Sequence, residues 1–288
     1  MYQFKRSIDL KKHLELVRKS GKTIGFVPTM GALHNGHLSL IQAAKQNTDV
    51  VVCSIFVNPT QFNDPKDYEK YPITIEADIK KLNDVSTDIV FLPAVDDMYP
   101  EGLDGNIHYD FGDLETILEG KFRPGHFQGV GRIVHKLLDI VQPSKLFMGQ
   151  KDLQQCLIVR KLLKIIHSST ELIVCPTERE PDGLAMSSRN VRLSPAARKK
   201  ATAIYQELNA IKNSFGKGLL FMESAYEAVD HLKAQGFDPE YADILALKDD
   251  TLVPLDQPAT DDMVVVAAIA AWLDGVRLID NIIIQGKL

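Results

Sequence analysis

The sequence predicts an α/β fold, a doubly wound parallel sheet followed by a smaller C-terminal α+β domain, and two observations carry that prediction. From Thr23 to Thr177 apolar runs of strand length alternate with segments of helical spacing, and beyond Thr177 the order changes to helices followed by strands. Repeated strand-helix-strand units imply parallel strands joined by right-handed crossovers, a Rossmann-like arrangement. The first domain is assigned to residues 1–177 and the second to 178–288.

Each element has a local reason. TIGFVPTM (23–30) is an apolar run that ends in a glycine turn, and GHLSLIQAAKQN after it sets Leu38, Ile41 and Ala44 at helical spacing. DVVVCSIFV (49–57) reads as a buried strand that stops at Asn58-Pro59, and Ile73 to Leu82 as a helix before the strand DIVFLP (88–93). HFQGVGRIVHKLLDIV is helical, KLFMG (145–149) a short strand, DLQQCLIVRKLLKII a helix and ELIVCPT (171–177) a strand. The polar stretch TEREPDGLAMSSRNVRL marks the boundary, after which Ser194-Pro195 supplies a cap and a first-turn proline for one long helix, Pro195 to Asn213. A second helix (219–235) precedes three strand-like runs, YADILAL, MVVVAAIAAW and VRLIDNIII.

Composition excludes several classes. The 288 residues are 45% hydrophobic and 25% charged, which suits a globular protein with a sizeable core. Set against 38 acidic residues, 33 Lys and Arg leave a net charge of −5, so no basic field is present to hold a nucleic-acid backbone. Cys53, Cys156 and Cys175 lack the paired spacing of zinc sites or disulfide frameworks, which fits a reducing, cytoplasmic setting. MYQFKRSIDLKKH has no apolar core of signal-peptide length, and the longest apolar run, Met263 to Leu273, is too short to span a membrane.

The chemistry concentrates at PTMGALHNGHLSL (28–40), which falls where a parallel strand gives way to a helix. In such sheets ligands bind beyond the carboxyl ends of the strands, where helix N-termini direct free N–H groups and positive dipole ends outward. A lone histidine is usually structural or solvated, and a metal site would need a third ligand that no nearby residue supplies. Two imidazoles, His34 and His37, over a helix start point instead to phosphate, with Gly31 permitting the turn and Gly36 letting a nucleotide lie against the backbone.

PTMGALHNGH resembles the His-x-Gly-His signature of the adenylyl-transferring superfamily that includes class I aminoacyl-tRNA synthetases. Further along, Asn58-Pro59-Thr60-Gln61-Phe62, Met98-Tyr99-Pro100, Leu118-Glu119-Gly120, Arg123-Pro124-Gly125-His126-Phe127, Gly149-Gln150-Lys151-Asp152 with Gln154-Gln155, and Asp182 to Asn190 follow in order. Together they resemble the pantothenate synthetase family over almost the whole chain. The resemblance implies condensation of pantoate with β-alanine through a pantoyl adenylate, using ATP and Mg2+ and releasing AMP and pyrophosphate.

It also implies residue roles. His37 is expected as proton donor, with His34, Lys151, Ser187, Ser188 and Arg189 as the other catalytic groups. Met186-Ser187-Ser188-Arg189 resembles the superfamily's Lys-Met-Ser-Lys-Ser loop, whose hydroxyls and cation clamp the triphosphate. The ATP site would comprise Met30, Gly31, Ala32, Leu33, His34, Asn35, Gly36, His37, Gly149, Gln150, Lys151 and Asp152, with Met186 to Arg189 and the main chain of Glu178. Lys151 would bring a point charge to the phosphates, and Asp152 would accept from ribose hydroxyls. Pantoate would meet Gln61, Gln155 and Asn58, whose amides both donate and accept. Arg123 and His126 are expected near the site without an assigned role.

Three departures from the family pattern stand out. Ile73 replaces an arginine after Tyr71-Pro72 and the helix that follows carries less acid, with Ala77 beside Asp78, so Asp78 is the remaining candidate metal ligand; Gln150 replaces a glutamate; Glu178 stands where an apolar residue is usual. A homodimer through the N-terminal domain is a further implication, with the apolar strand at Val50 offered as part of its interface. The competing readings are a nucleotidylyltransferase of the same superfamily and a binding-only nucleotide protein. A tRNA synthetase is disfavoured because only a small domain without a basic module follows the presumed loop.

Overall fold

The computed structural model describes residues 1–62, 68–103, 107–215, 221–255 and 257–288. It divides into two compact units, residues 1–149 with 154–175, and residues 150–153 with 176–288. The second unit thus begins two residues before the boundary read from the sequence, and it also takes in Gln150–Leu153.

The first unit holds a six-stranded, wholly parallel sheet of β1 (Tyr2–Phe4), β2 (Ile24–Thr29), β3 (Val50–Ile55), β4 (Ile89–Phe91), β5 (Lys145–Gly149) and β6 (Glu171–Cys175). Their spatial order is β1-β4-β3-β2-β5-β6. The chain builds outward from β2 through β3 to β4 and then returns to the other side of β2, so the winding reverses between β2 and β5. Sheets of this kind open a crevice at that reversal. Here the ladder between β2 and β5 ends at Phe26, two residues before Pro28, which has no N–H to give. On its other side β2 stays paired with β3 as far as Thr29.

All six residues of β3 are buried and both its edges are paired, to β2 and β4. The strand at Val50 is therefore core and presents no edge or face for a dimer interface. Val27, Val51, Cys53, Val90 and Phe147 from the strands pack with Leu40, Ile41 and Ala44 of the helix Asn35–Asn47 and Leu82 of the helix Ile75–Asp84. Cys53, Cys156 and Cys175 are free and buried, and burial pushes the Cys53 thiol up to about 12. None of the described helices is long and apolar enough to cross a membrane.

The second unit is an antiparallel sheet ordered β10-β9-β7-β8, comprising β7 (Asp238–Lys248), β8 (Thr251–Pro254), β9 (Val264–Leu273) and β10 (Val276–Gln285). Ile204, Leu208 and Ile211 of the helix Ala203–Ser214, with Ala228 and Leu232 of the helix Phe221–Ala234, pack on Val265, Ala267 and Ile269 of β9. The Ser194 hydroxyl accepts from the Ala197 amide at 3.3 Å and Pro195 opens the helix, as the sequence predicts. That helix stops at Lys200 and a second starts at Ala203, so the single long helix is two. Thr202 Oγ1 donates to the Lys199 carbonyl at 3.2 Å, a local bond that competes with the helical ladder at the break. The short strands β1 and β8 are additions to the sequence reading, because three or four residues carry no measurable periodicity.

Gly129 sits where the helix His126–Val141 presses on the turn Pro59–Gln61: a Cβ there would lie 2.1 Å from the Thr60 carbonyl oxygen. Relief would require backbone movement. Gly129→Ala is expected to destabilise the protein by about 1–3 kcal/mol, the usual range for overpacking, as read from urea unfolding.

Candidate active site

The loop after β2 turns through two left-handed residues, Gly31 at φ 87° and Ala32 at φ 49°. An alanine in that region is uncommon, and the surroundings show what holds it there. The Asp78 carboxylate, wholly buried, accepts the Ala32 amide at 2.9 Å and the Leu33 amide at 2.8 Å, one on each oxygen. Thr74 Oγ1 donates to the same carboxylate at 3.1 Å, and Lys81 Nζ donates to the Leu33 carbonyl. From the other side the Gly31 amide meets Thr29 Oγ1 at 3.3 Å, while that hydroxyl donates to the Ser54 carbonyl at 2.7 Å. The candidate metal ligand Asp78 thus spends both of its oxygens on main-chain amides of the loop.

The clamped loop delivers His34 to the N-cap of the helix Asn35–Asn47. The His34 backbone N–H donates to His37 Nδ1 at 3.3 Å, and the two rings lie 4.0 Å apart at 40°. An Nδ1 that accepts is unprotonated, so in the neutral imidazole the proton resides on Nε2, which is then a donor. The fold thereby sets the tautomer of His37.

A second cluster of the first unit surrounds Gln61. Gln61 Nε2 donates to Gln155 Oε1 at 3.5 Å, bringing together two glutamines that are 94 positions apart. Asn58 behaves differently from its expected substrate role. The residue is only 1% exposed; its Nδ2 donates to the Gly129 carbonyl at 3.2 Å, and its Oδ1 accepts from Tyr99 at 2.7 Å and from the Thr60 hydroxyl at 3.1 Å. Burial pushes the Tyr99 phenol up, which keeps it protonated and donating. Gln154, likewise buried, accepts from the Glu119 amide at 2.9 Å and donates to the Leu114 and Ile117 carbonyls, so of the paired glutamines it is the structural one.

His126 Nδ1 donates to the Gln61 carbonyl at 2.8 Å, which leaves its Nε2 as acceptor for Arg123 at 3.2 Å. The motif Arg123 to Phe127 therefore fixes the main chain that carries Gln61. Sequence reasoning gives these residues no role, because the bond spans 65 positions and ends on a carbonyl that any residue could supply.

In the second unit Gln150–Asp152 forms a single 3-10 turn, with Lys151 Nζ 3.6 Å from Asp152 Oδ1. Arg179 stacks 3.8 Å above the ring of Tyr205, donates to the Gly183 carbonyl at 3.1 Å and grips Asp280 through two nitrogens at 2.5 and 3.0 Å. Burial pushes the Asp280 carboxyl up and Arg179 pulls it back down. This pair anchors a hairpin in which the Glu180 amide meets the Leu184 carbonyl at 2.8 Å and the Met186 amide meets the Glu178 carbonyl at 3.0 Å. The half-buried loop Met186–Arg189 emerges from it, turned by the Arg189 amide on Ser187 Oγ at 3.2 Å and by Asn190 Nδ2 on the Ala185 carbonyl at 3.0 Å. The Glu178 side chain is exposed, so its acid replaces no core group. At the hairpin tip Asp182 pairs with Arg198 at 2.7 and 3.1 Å, which holds its carboxyl below the usual range.

Comparison with known proteins gives a consistent picture. Residues 3–283 match the family model described as Pantoate-beta-alanine ligase. A relative named pantothenate synthetase from Thermotoga neapolitana is 46% identical over 278 residues, 96% of this chain and 97% of that protein. Another of that name, from Cytophaga hutchinsonii, is 44% identical over 277 residues, 96% of each. Among solved structures, pantothenate synthetase from Thermus thermophilus superposes with a TM-score of 0.90 at 38% identity, covering 99% of this chain and 100% of that one. A pantoate-beta-alanine ligase from Francisella tularensis, complexed with beta-gamma ATP and beta-alanine, gives 0.83 at 37% identity, covering 100% of this chain and 99% of that one.

The Asp78 clamp makes a prediction. In Asp78→Asn the new NH2 group faces an amide N–H that formerly met an oxygen, leaving a buried donor unsatisfied. Urea unfolding should show a loss of about 1–3 kcal/mol. An unchanged midpoint would show that the loop does not depend on this carboxylate.

Proposed function

Because the chain belongs to the Pantoate-beta-alanine ligase family, we propose that it condenses (R)-pantoate with β-alanine, using ATP, through a pantoyl adenylate. The observation that carries this reading is the junction after β2, where a clamped loop sets His34 and His37 at a helix N-terminus with a donor hydrogen on His37 Nε2. A pantoate carboxylate oxygen attacks the α-phosphorus of ATP, the bond to the bridging oxygen breaks, and pyrophosphate leaves. A carboxylate is already ionised at neutral pH, so this step needs no base. It needs positioning and neutralisation of the charge that grows on the leaving group, which free helix amides, an imidazole N–H and a lysine ammonium can supply.

In the second step the β-alanine ammonium gives one proton to solvent, its neutral amine attacks the acyl carbon, a C–N bond forms, the C–O bond to phosphate breaks, AMP departs, and the surplus proton on nitrogen passes to a phosphate oxygen. Holding the amine against the bound adenylate is the main demand. We assign pantoate to Gln61 and Gln155, whose mutual hydrogen bond leaves Gln61 Oε1 to accept and the Gln155 NH2 group to donate. Asn58 supports the turn beneath Gln61. Lys151, Ser187, Ser188 and Arg189 take the phosphates, Asp152 the ribose, and the main chain at Glu178 the adenine. Magnesium is placed on ATP's own phosphates, as a partner of the substrate, because Asp78 is committed to the loop. Three buried free cysteines fit a cytoplasmic setting, and a homodimer is proposed on the family resemblance.

The test is one reaction with ATP, Mg2+, pantoate and β-alanine, each acid omitted in turn. AMP and pantothenate should appear in equal amounts and only with both acids present. A product that retains AMP would favour a nucleotidylyltransferase, and ATP binding without turnover a binding-only protein. His37→Ala is expected to lower kcat about 100-fold, the typical cost of removing one preorganised donor. A wild-type rate with the fold intact removes His37 from the mechanism. Glu178→Val should leave ATP affinity unchanged by equilibrium titration, since a main-chain contact tolerates either side chain.

A further inference from the structure

Strand β10 carries a polar pair, Asp280-Asn281, within the apolar run VRLIDNIII, and both residues are buried. Neighbours on a strand face opposite sides. Asp280 shares its face with the core residues Val276, Leu278 and Ile282 and meets Arg179, whereas Asn281 faces the other way. Both hydrogens and the oxygen of its carboxamide are engaged. Asn281 Nδ2 donates to the Gln150 carbonyl at 3.0 Å and to the Lys151 carbonyl at 2.9 Å, and Gln150 Nε2 donates to Asn281 Oδ1 at 3.1 Å. The backbone amide of Asn281 reaches Asp280 Oδ1 at 2.8 Å, and Arg179 donates to the Asn281 carbonyl at 3.5 Å. One dipeptide thus ties the turn that carries Lys151 to the arginine that anchors the Met186–Arg189 hairpin.

We propose that Asn281 is a positioning residue for Lys151 in adenylyl transfer, holding the Gln150–Lys151 main chain so that the lysine stem starts from one place. The proposal rests on the reading that Lys151 meets the phosphates. Lysine is a point charge on a flexible stem, so its reach is defined only as well as the backbone beneath it. Two successive carbonyls need two donors at one spot, and an NH2 group supplies both. Aspartate of the same shape offers them only lone pairs, and alanine offers nothing. Gln150 completes the arrangement, since its Nε2 gives a hydrogen that a glutamate at that position would lack.

The experiment compares wild type with Asn281→Asp, Asn281→Ala, Lys151→Ala and the Asn281→Ala/Lys151→Ala double variant. Pyrophosphate release is followed at saturating ATP and pantoate, together with the pantoate KM and thermal unfolding. Each Asn281 variant should lose about 10- to 100-fold in kcat, the usual cost of misplacing a group through its support, with the pantoate KM within about twofold of wild type. The double variant should be no slower than Lys151→Ala, because the amide acts through the lysine. Additive losses in the double variant, or a wild-type kcat in Asn281→Ala, overturn the positioning role. A normal rate in Lys151→Ala overturns the phosphate reading itself, whereas a slow Lys151→Ala beside an unimpaired Asn281→Ala overturns only the proposal. If Asn281→Asp fails to fold, Asn281→Ala, which buries no charge, decides. Unfolding of both at the assay temperature assigns Asn281 to fold stability and likewise overturns it.

Discussion

The carboxylate of Asp78 receives the amides of Ala32 and Leu33, and the functional end of the first unit depends on that exchange. A buried charge is costly unless hydrogen bonds replace its lost water, and here three donors do so: two main-chain amides and the Thr74 hydroxyl. In return the carboxylate holds Ala32 in a left-handed conformation that alanine seldom adopts. The direction in which the chain enters the helix Asn35–Asn47 follows, and with it the placement of His34 and the tautomer of His37. Remote polar groups define local geometry here because main-chain amides, unlike side chains, cannot be repositioned without moving the loop.

The same logic recurs at each functional segment. Gln61 is aimed by His126 on its carbonyl and by Asn58 beneath its turn, and Lys151 by Asn281 on its carbonyl. In each case a buried side chain bonds the backbone of the segment or its turn, and a half-buried side chain stands above it. The cost of leaving any such buried carbonyl or amide unpaired, about 1–3 kcal/mol, is a sizeable fraction of a domain's net stability. Removing one of these supports is therefore expected to cost folding energy as well as local geometry.

Much of this was legible in the chain. The alternation of strands and helices, the Ser194-Pro195 cap and the His-x-Gly-His junction are local signals, each contained within a dozen or so residues and each found where the pattern places it. Other features read differently. Asp78 is a metal candidate from sequence because a carboxylate on a helix says nothing of which donors face it. Asn58 reads as a substrate-side amide because sequence does not distinguish a saturated amide from an available one. The strand at Val50 reads as a candidate for an interface, and its place between β2 and β4 is a matter of strand order. Asp280 and Asn281 do carry a signal, two polar residues inside an apolar strand, whose meaning depends on partners far along the chain.

By itself the sequence determined the two-part architecture, the family and the short motifs, because periodicity, capping and contiguous motifs are properties of neighbouring residues. Only the tertiary structure decided which polar side chains are supports: Asp78 under the Ala32–Leu33 loop, Asn58 under the turn of Gln61, Asn281 under Lys151. The reason is physical. A hydrogen bond is satisfied or not according to what lies about 3 Å away, and the partners that fill these groups lie 45 positions from Asp78 at Leu33, 71 from Asn58 at Gly129 and 130 from Asn281 at Lys151, brought together only by the tertiary fold.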